Sequence, residues 1–503
     1  MWNAYLAGKY SSDDRLRQAW SAGETPGVRP GLRPDESLDR KNVRRVRSDE
    51  TVTVARTRDF LLFLADGDVQ FFNGMRQFLK DDLGVKASVM GTWVHGLLPA
   101  CAQSNMDVVD VHSYWDHPVF PRKQWDPRDW VIDNTAMVDD PEKSTLAVLT
   151  AGHVARPREN SPARPRTVSE YDNPAPNDYQ AEGIPMVASL AAAQDWDGVL
   201  IWDYGDSNSK GERSGAVRNC FNIVTSPVKM VQLAAGALLF RRADIAPLPV
   251  EVVTGLEPEG VAELSARYGL MARQILKQPE VGAPGAWRFF ARYSFLPFAP
   301  TGGGQSVTRL IQPGKEYALP AVAPDAGTPN GPPGLWRSAD GALQWMWHGP
   351  GSGLYSARGE RSMTLVGFVG GELGERMGRV GPVRITVQSP RFAAITLSAL
   401  DGKPLREARR ILITAAARQE NTGQQWNASR TSVSDQWGHA PVLIEPVRAE
   451  ITLERVRPAK GRLTALAADG SPLKEFPVEF TEAGLTFTLP GDPATLWYVL
   501  HVQ

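Results

Sequence analysis

Two different hydrophobic patterns divide this chain near residue 245. Before that point, short β-branched runs alternate with segments of helical periodicity, the pattern of βαβ units around a parallel sheet. The sequence predicts strands at residues 85–92, 106–112, 166–170 and 198–204. It predicts helices at residues 185–194 and 227–239, and two more within residues 48–83 that are separated by Asp66-Gly67-Asp68.

After residue 245 the chain changes to short alternating strands with Gly and Pro turns, which is typical of an all-β sandwich. The predicted strands are residues 341–347, 363–368, 383–387, 393–400 and 485–489, one further helix is predicted at 257–268, and a Pro- and Gly-rich linker at 320–333. We therefore expect three regions, in keeping with the length of the chain. They are an α/β region at 1–245, a mixed α/β connecting region with the linker at 246–330, and a β-sandwich accessory domain at 331–503.

The composition argues against several classes of function. The 503 residues include 55 Lys plus Arg and 56 Asp plus Glu, so no net charge attracts nucleic acid or an anionic membrane surface. Cys101 and Cys220 are too few for a disulfide framework or a cysteine-rich metal site. No apolar run reaches the roughly 18 residues of a membrane span, and the first residues do not predict a signal peptide. We expect no metal and no cofactor, and the sequence leaves the location open.

The chemistry-bearing stretch begins where the third predicted strand ends. Ser169 and Glu170 end that strand, and Pro174 and Pro176 make the following loop rigid before a helix leads to the next strand. Catalytic groups of α/β barrels lie at the C-terminal ends of strands. Glu170 is therefore predicted to be an active-site carboxylate, and the alternative is a structural glutamate.

Polar and aromatic side chains crowd the end of the preceding strand and its loop. His112 and Tyr114 alternate out of the strand, so both face the same way. We expect them to hydrogen-bond a carboxylate at the neighbouring strand end and the substrate near it, and the alternative is a satisfied core pair. A metal site at His112 and His117 is not expected, because no clear third ligand accompanies them.

The chain contains fifteen tryptophans, a high count. Flat indole faces are suited to stacking on the apolar faces of sugar rings, although core packing is the common role of a tryptophan. Trp202 ends the last predicted strand, Trp93 follows the strand at 85–92, and Trp115 lies in the loop after Tyr114. These three are predicted to bind substrate, with a core role as the alternative.

Together these residues resemble the C-terminal half of the (β/α)8 barrel of retaining clan A glycoside hydrolases, the cellulase-like superfamily. The resemblance covers roughly residues 1–243, and the region behind it is similar to accessory β-sandwich domains, including SALDGKPL and NTGQQW. It implies a partial TIM barrel, strands five to eight, followed by a C-terminal β-sandwich. It also implies that Glu170 is the nucleophile, that His112 and Tyr114 line the site, and that Trp202 is the sugar platform.

One part of the family pattern is missing from this chain. Members carry the general acid/base, usually the Glu of an Asn-Glu pair, at the end of the fourth strand. That order occurs nowhere here, and Glu159-Asn160 is reversed. We therefore expect a fragment that lacks strands one to four and half of the catalytic pair. Such a chain would await a missing N-terminal half-barrel or self-associate through open sheet edges.

The predicted function is hydrolysis of a β-linked poly- or oligosaccharide by retaining double displacement, with little or no activity in the isolated chain. Two alternatives remain: a non-catalytic carbohydrate-binding protein, and a structural protein whose sandwich drives association. The sugar type and linkage stay open among β-glucan, mannan and galactoside.

Overall fold

The computed structural model describes most of the chain. It covers residues 1–22, 29–91, 98–141, 143–153, 164–205, 215–249, 251–270, 275, 291–297, 307–312, 315–318, 334–338, 340–370, 378–457 and 459–503. Its α-helices are α1 (Trp2–Tyr10), α2 (Asp13–Ser21), α3 (Val54–Gln77), α4 (Leu98–Gln103), α5 (Thr145–Gly152), α6 (Gly183–Ala193), α7 (Pro227–Arg241) and α8 (Pro258–Tyr268). A π-helical turn, Phe78–Asp82, extends α3, and 3-10 turns occur at Met137–Asp139 and Gln180–Glu182. The predicted linker at 320–333 lies outside these residues. None of the helices in these ranges is both long and apolar enough to cross a bilayer.

The first three helices pack around a small aromatic core. Its buried members are Trp2, Leu6, Leu16, Trp20, Leu38, Val43 and Ala55. Beside this core, Arg56 Nη1 lies 2.7 Å from Glu36 Oε2, and both side chains are fully buried. Asp59 is also buried, lies 3.0 Å from Lys9 Nζ, and accepts hydrogen bonds from Tyr10 and Trp20. The buried charges are thus matched, which fixes α3 against the segment before it.

The predicted break within residues 48–83 is wrong, because α3 runs unbroken from Val54 to Gln77. Gly67 faces open space, so it costs the helix only about 1 kcal/mol. Gln70 Nε2 donates to Asp66 Oδ2 at 2.8 Å and closes one turn across the predicted break. Leu62 packs with Val261 of α8 in a common core, so tertiary packing overrides the local signal for a break.

The candidate site is built on a parallel sheet in the order β1-β2-β3, formed by β1 (Val109–Tyr114), β2 (Arg166–Asp172) and β3 (Gly198–Ile201). The strand predicted at 85–92 is wrong where it is described, since only Met90 forms a parallel bridge, to Val108. The backbone before Met90 is occupied otherwise: Val89 N–H donates to the Asp107 carboxylate at 2.9 Å, and Lys80 Nζ donates to the carbonyl of Ala87 at 2.6 Å. In the described residues the sheet therefore has three strands instead of four.

A second sheet of four strands, in the order β5-β4-β6-β7, follows α7. Its strands are β4 (Glu251–Leu256), β5 (Arg292–Pro297), β6 (Val307–Gln312) and β7 (Lys315–Ala318). β4 pairs with β5 in parallel and with β6 antiparallel.

The described residues from 334 onward form a large antiparallel region, as the alternating pattern predicts. The strands are β8 (Leu335–Arg337), β9 (Leu343–Met346), β10 (Leu354–Arg358), β11 (Ser362–Gly367), β12 (Arg379–Val380), β13 (Val383–Ser389), β14 (Ala393–Ala399), β15 (Arg410–Ala416), β16 (Gln419–Thr422), β17 (His439–Ile444), β18 (Arg448–Leu453), β19 (Gly461–Leu466), β20 (Pro472–Thr481), β21 (Gly484–Leu489) and β22 (Trp497–Val502). β16 and β17 pair separately, and the long β20 pairs with both β19 and β21. In the described residues, β8–β15 and β18–β22 form one continuous sheet of 13 strands. Ile385 on β13 and Ile451 on β18 share one core with Ile395 on β14 and Ile413 on β15, so these two parts of the sheet pack face to face.

Helices α6 and α7 join the parallel sheet to the antiparallel region. Met186 of α6 and Val228 of α7 lie in one buried cluster with Trp345. The Ser189 hydroxyl lies 2.9 Å from the Tyr355 hydroxyl, and Trp345 Nε1 donates to the carbonyl of Val138 at 2.8 Å. This shared core holds the C-terminal ends of β1–β3 in a fixed position beside the antiparallel sheet.

Candidate active site

Glu170 lies near the C-terminal end of β2, directly beside β1. The register shifts between Val111 and His112, so Val111 pairs with Val168 and His112 pairs with Glu170. Ser169 is therefore an extra residue on β2. Because paired residues of neighbouring strands face the same side of a sheet, this irregularity brings Glu170 to the side of His112 and Tyr114.

The Glu170 carboxylate is held from β1. The Tyr114 hydroxyl donates a hydrogen bond to Glu170 Oε2, and His112 Nε2 lies 3.9 Å from the same oxygen. Burial, followed by the hydrogen bond to Glu170, raises the pKa of Tyr114, so the phenol stays protonated and remains a donor. The Glu170 side chain is 28% exposed, which leaves the carboxylate reachable from solvent.

Asp110 also connects β1 to β2 through its side chain. It lies two residues before His112, and its carboxylate accepts hydrogen bonds from the hydroxyls of Thr167 and Ser169 on β2. Burial raises the pKa of Asp110. The sequence analysis did not select Asp110, although its even spacing from His112 and Tyr114 could have indicated the shared face.

A buried ion pair lies at the C-terminal end of β2. Lys229 Nζ on α7 is 2.7 Å from Asp172 Oδ2, and both side chains are almost fully buried. Burial raises the pKa of Asp172 to about 6, against the lowering effect of Lys229. The Asp172 carbonyl also accepts from the backbone N–H of Trp115 at 3.0 Å. The pair thus anchors β2 to α7 and to the loop after β1. No local sequence pattern predicts a contact between residues so far apart along the chain.

A cleft of about 1220 Å³ opens at the C-terminal ends of β1–β3. Its lining includes Glu170, His112, Tyr114, Trp115 and Trp202, the site residues that the sequence analysis selected from the described part of the chain. Trp93 lies outside the described residues. The structure therefore brings the predicted residues together wherever it describes them.

The two predicted tryptophans of the cleft differ in exposure. Trp202 follows β3, is 45% exposed, and has its backbone N–H bonded to the carbonyl of Tyr171 at 2.9 Å. The peptide bond from Trp202 to Asp203 is cis. Trp115 is partly buried against the main core, and its indole N–H donates to the carbonyl of Thr135 at 2.8 Å. Trp202 thus offers a free indole face, whereas Trp115 also holds the loop.

An aromatic wall continues the cleft away from Glu170. We use this name for Tyr114, His117, Trp125 and Phe221, which all line the cleft. Ring centroids are 5.1 Å apart for Tyr114 and Phe221, and 6.1 Å for Phe221 and Trp125. The sequence analysis weighed His117 only as a metal ligand, and it assigned neither Trp125 nor Phe221 to substrate. Phe221 is more than 90 residues away along the chain.

Two other carboxylates that line the cleft are tied to the backbone. Asp116 accepts hydrogen bonds from the N–H groups of Asp133 and Asn134. Asp139 accepts from the N–H groups of Gly351 and Gly353. Both carboxylates fix loops at the rim of the cleft. Among the described residues, no three His, Cys, Asp or Glu side chains group as metal ligands.

Comparisons with known proteins give little beyond the site itself. No family model and no curated protein matches the chain. Among solved structures, the chain is similar to the polyextremophilic β-galactosidase from the Antarctic haloarchaeon Halorubrum lacusprofundi, at 17% identity and a TM-score of 0.35. The match covers 60% of this chain and 44% of that enzyme, so the chain spans less than half of its length. A TM-score of this size supports no conclusion about fold or chemistry.

Proposed function

We propose that this chain carries the nucleophile half of a retaining glycoside hydrolase site on a partial (β/α)8 barrel, with Glu170 as the nucleophile. The observation that carries the proposal is the carboxylate of Glu170, which faces a large cleft at a strand end and is bonded to Tyr114. Trp202, exposed in the same cleft, would form the surface on which the sugar ring lies.

In the proposed reaction, a Glu170 oxygen attacks the anomeric carbon. The bond from that carbon to the leaving oxygen breaks, and a glycosyl-Glu170 ester forms. The Tyr114 hydroxyl orients the carboxylate, and His112 faces the same oxygen from the strand. Water then attacks the anomeric carbon and gives a proton to a second carboxylate, which releases the sugar and restores the Glu170 carboxylate.

The leaving oxygen needs a proton from a second carboxyl group, roughly 5 Å from the nucleophile in retaining enzymes. The resemblance assigns that group to an Asn-Glu strand end, which this sequence lacks. We therefore propose that the acid/base belongs to the N-terminal half of the barrel, which is not part of this sequence. For the isolated chain, we expect little or no turnover of ordinary aryl glycosides.

A leaving group that needs no proton isolates the role of Glu170. The experiment treats the purified chain with 2,4-dinitrophenyl 2-deoxy-2-fluoro-β-glycosides of the gluco, manno and galacto series and follows dinitrophenolate release. We expect one equivalent from at least one series, and none from Glu170→Gln. Asp140→Asn is the matched control, since Asp140 lines the same cleft but its carboxylate is occupied with Lys143 at 3.1 Å. Release that is equal in Glu170→Gln would refute the nucleophile.

The second candidate is a non-catalytic carbohydrate-binding protein. The observation that favours it is the aromatic lining of the cleft, because stacking surfaces suffice for binding without chemistry. Under this alternative the chain binds sugars, releases no dinitrophenolate, and keeps its affinity in Glu170→Gln. The same release assay, run beside a sugar titration, separates the two candidates.

A further inference from the structure

Trp125 is largely exposed although its ring contacts other aromatic side chains. Its side chain is 58% exposed, although its ring contacts Phe120 and His117 with centroids 5.0 and 6.0 Å apart. One indole face therefore remains open, and the residue lines the same cleft as Glu170. Large apolar surfaces left in water at a cleft commonly mark binding sites.

The loop that carries Trp125 is fixed on both sides. Val119 and Val131 exchange backbone hydrogen bonds of 2.8 and 2.9 Å across its base. Trp130 stacks on Trp437 of the antiparallel region at a centroid distance of 5.8 Å, and Ile132 N–H donates to the carbonyl of Thr431 at 2.8 Å. A ligand that stacks on Trp125 would thus meet a preorganised surface, which lowers the entropy lost on binding.

Trp125 is displaced from the reacting position. Tyr114 bonds Glu170, Phe221 contacts Tyr114, and Trp125 contacts Phe221, so two aromatic rings separate Trp125 from the carboxylate. A sugar ring on Trp202 beside Glu170 would leave the Trp125 face uncovered. The cleft of about 1220 Å³ also exceeds the roughly 300–1,000 Å³ of sites for drug-sized ligands.

We propose that Trp125 is a second sugar-stacking platform and that the cleft binds at least two linked sugar rings, one on Trp202 and another on Trp125. The substrate class is therefore a β-linked oligosaccharide and not a simple monosaccharide glycoside. This inference rests on the proposed function for the assignment of Glu170, while the binding platform itself is tested without chemistry.

The test is a titration of the full chain with β-1,4-linked gluco-, manno- and galacto-oligosaccharides of one to four rings, followed by calorimetry. In the preferred series, we expect the dissociation constant to fall about tenfold or more from one ring to three. Trp125→Ala should remove about tenfold of that gain, the size of one lost stacking contact, and leave the monosaccharide unchanged. Trp202→Ala should weaken binding at every length.

Two further variants make the outcome decisive. Trp125→Phe keeps an aromatic face and should retain part of the gain with length. Trp426→Phe removes an indole that lies outside the cleft and donates to Glu420 at 2.8 Å, and it should match the wild type. The proposal is overturned if Trp125→Ala keeps the full dependence on length, or if the wild type binds no sugar in any series.

The test of Trp125 can be distinguished from the test of Glu170 as nucleophile. If the wild type releases dinitrophenolate and Trp125→Ala keeps the same dependence on chain length, only the assignment of Trp125 as a sugar platform is refuted. If binding depends on chain length through Trp125 but no dinitrophenolate is released, the assignment of Glu170 as nucleophile is refuted and that of Trp125 is kept.

Discussion

Tyr114 is the residue through which β1 controls the candidate nucleophile. Its hydroxyl is the donor to Glu170 Oε2, and hydrogen bonds to charged groups contribute about 1.5–3 kcal/mol. We predict that Tyr114→Phe lowers the rate of dinitrophenolate release by about tenfold or more, because the carboxylate loses its orientation. Stopped-flow absorbance measures the rate, and urea unfolding of the same variant provides the control. An unchanged rate in the folded variant would remove Tyr114 from the mechanism.

Among the site residues, the sequence analysis found those that the alternation of side chains along a strand can reveal. His112, Tyr114 and Glu170 stand out because strand residues two apart share a face and strand ends meet at one edge. Asp172 with Lys229 could not be predicted, because 57 residues separate them and each lies among ordinary neighbours. The open face of Trp125 was equally hidden, since exposure depends on Phe221 and on the loop contacts with Trp437.

Glu182 links its own 3-10 turn, Gln180–Glu182, to the 3-10 turn Met137–Asp139, and through Asp139 to the segment 351–353. It is fully buried, and its carboxylate accepts from the N–H groups of Met137 at 2.6 Å and Val138 at 3.1 Å. The turn that it holds ends in Asp139, which in turn binds the backbone of Gly351 and Gly353. Burial raises the pKa of Glu182 from about 4.5 to about 8, against its backbone hydrogen bonds.

This raised pKa predicts a pH-dependent stability. The folded state binds the proton more tightly than the unfolded state, so the contribution is complete below about pH 4.5 and is lost as the pH rises through about 8. We predict that the wild type loses a few kcal/mol relative to Glu182→Gln between pH 5 and pH 9. Urea unfolding at several pH values measures both curves, and the difference cancels the other titrating groups. Parallel curves would show that Glu182 does not titrate in this range.

The elements themselves were predicted unevenly for a physical reason. The helices at α6 and α7 and the strands β2, β11, β13, β14 and β21 carry clear periodicity and were placed within a few residues. Residues 85–92 have strand-like composition, but the Asp107 carboxylate takes the N–H of Val89, so a side chain replaces the neighbouring strand. The break expected at Gly67 failed because α3 gains more from packing on α8 than the glycine removes.

Over the whole molecule, α3 presents an unusual apolar surface. Large side chains between 42% and 59% exposed follow one side of α3, its π-turn and the segment after it: Leu64, Phe71, Met75, Phe78, Leu83 and Met90. This apolar stripe lies beside the segment that leads into β1, because Arg76 on α3 pairs with Asp107 at 2.6 Å and Met90 bridges Val108. Contiguous exposed apolar surface favours association.

We therefore predict that the isolated chain self-associates through the apolar stripe. Sedimentation velocity should give a weight-average mass above 55.0 kDa that rises with concentration, and Phe71→Glu with Phe78→Glu should return it to the monomer. Phe480→Glu is the matched control, since Phe480 is 45% exposed on β20, away from the stripe. A monomer at every concentration, or an equal effect of Phe480→Glu, would contradict this interface.

The central claim is that the carboxylate of Glu170 is the group that bonds to the sugar. Tandem mass spectrometry of the chain after reaction with the 2-fluoroglycoside locates the adduct directly. We predict a single fluoroglycosyl ester on Glu170, absent from Glu170→Gln. An adduct on another carboxylate of the cleft, such as Asp116 or Asp140, or no adduct while dinitrophenolate is released, would contradict the account.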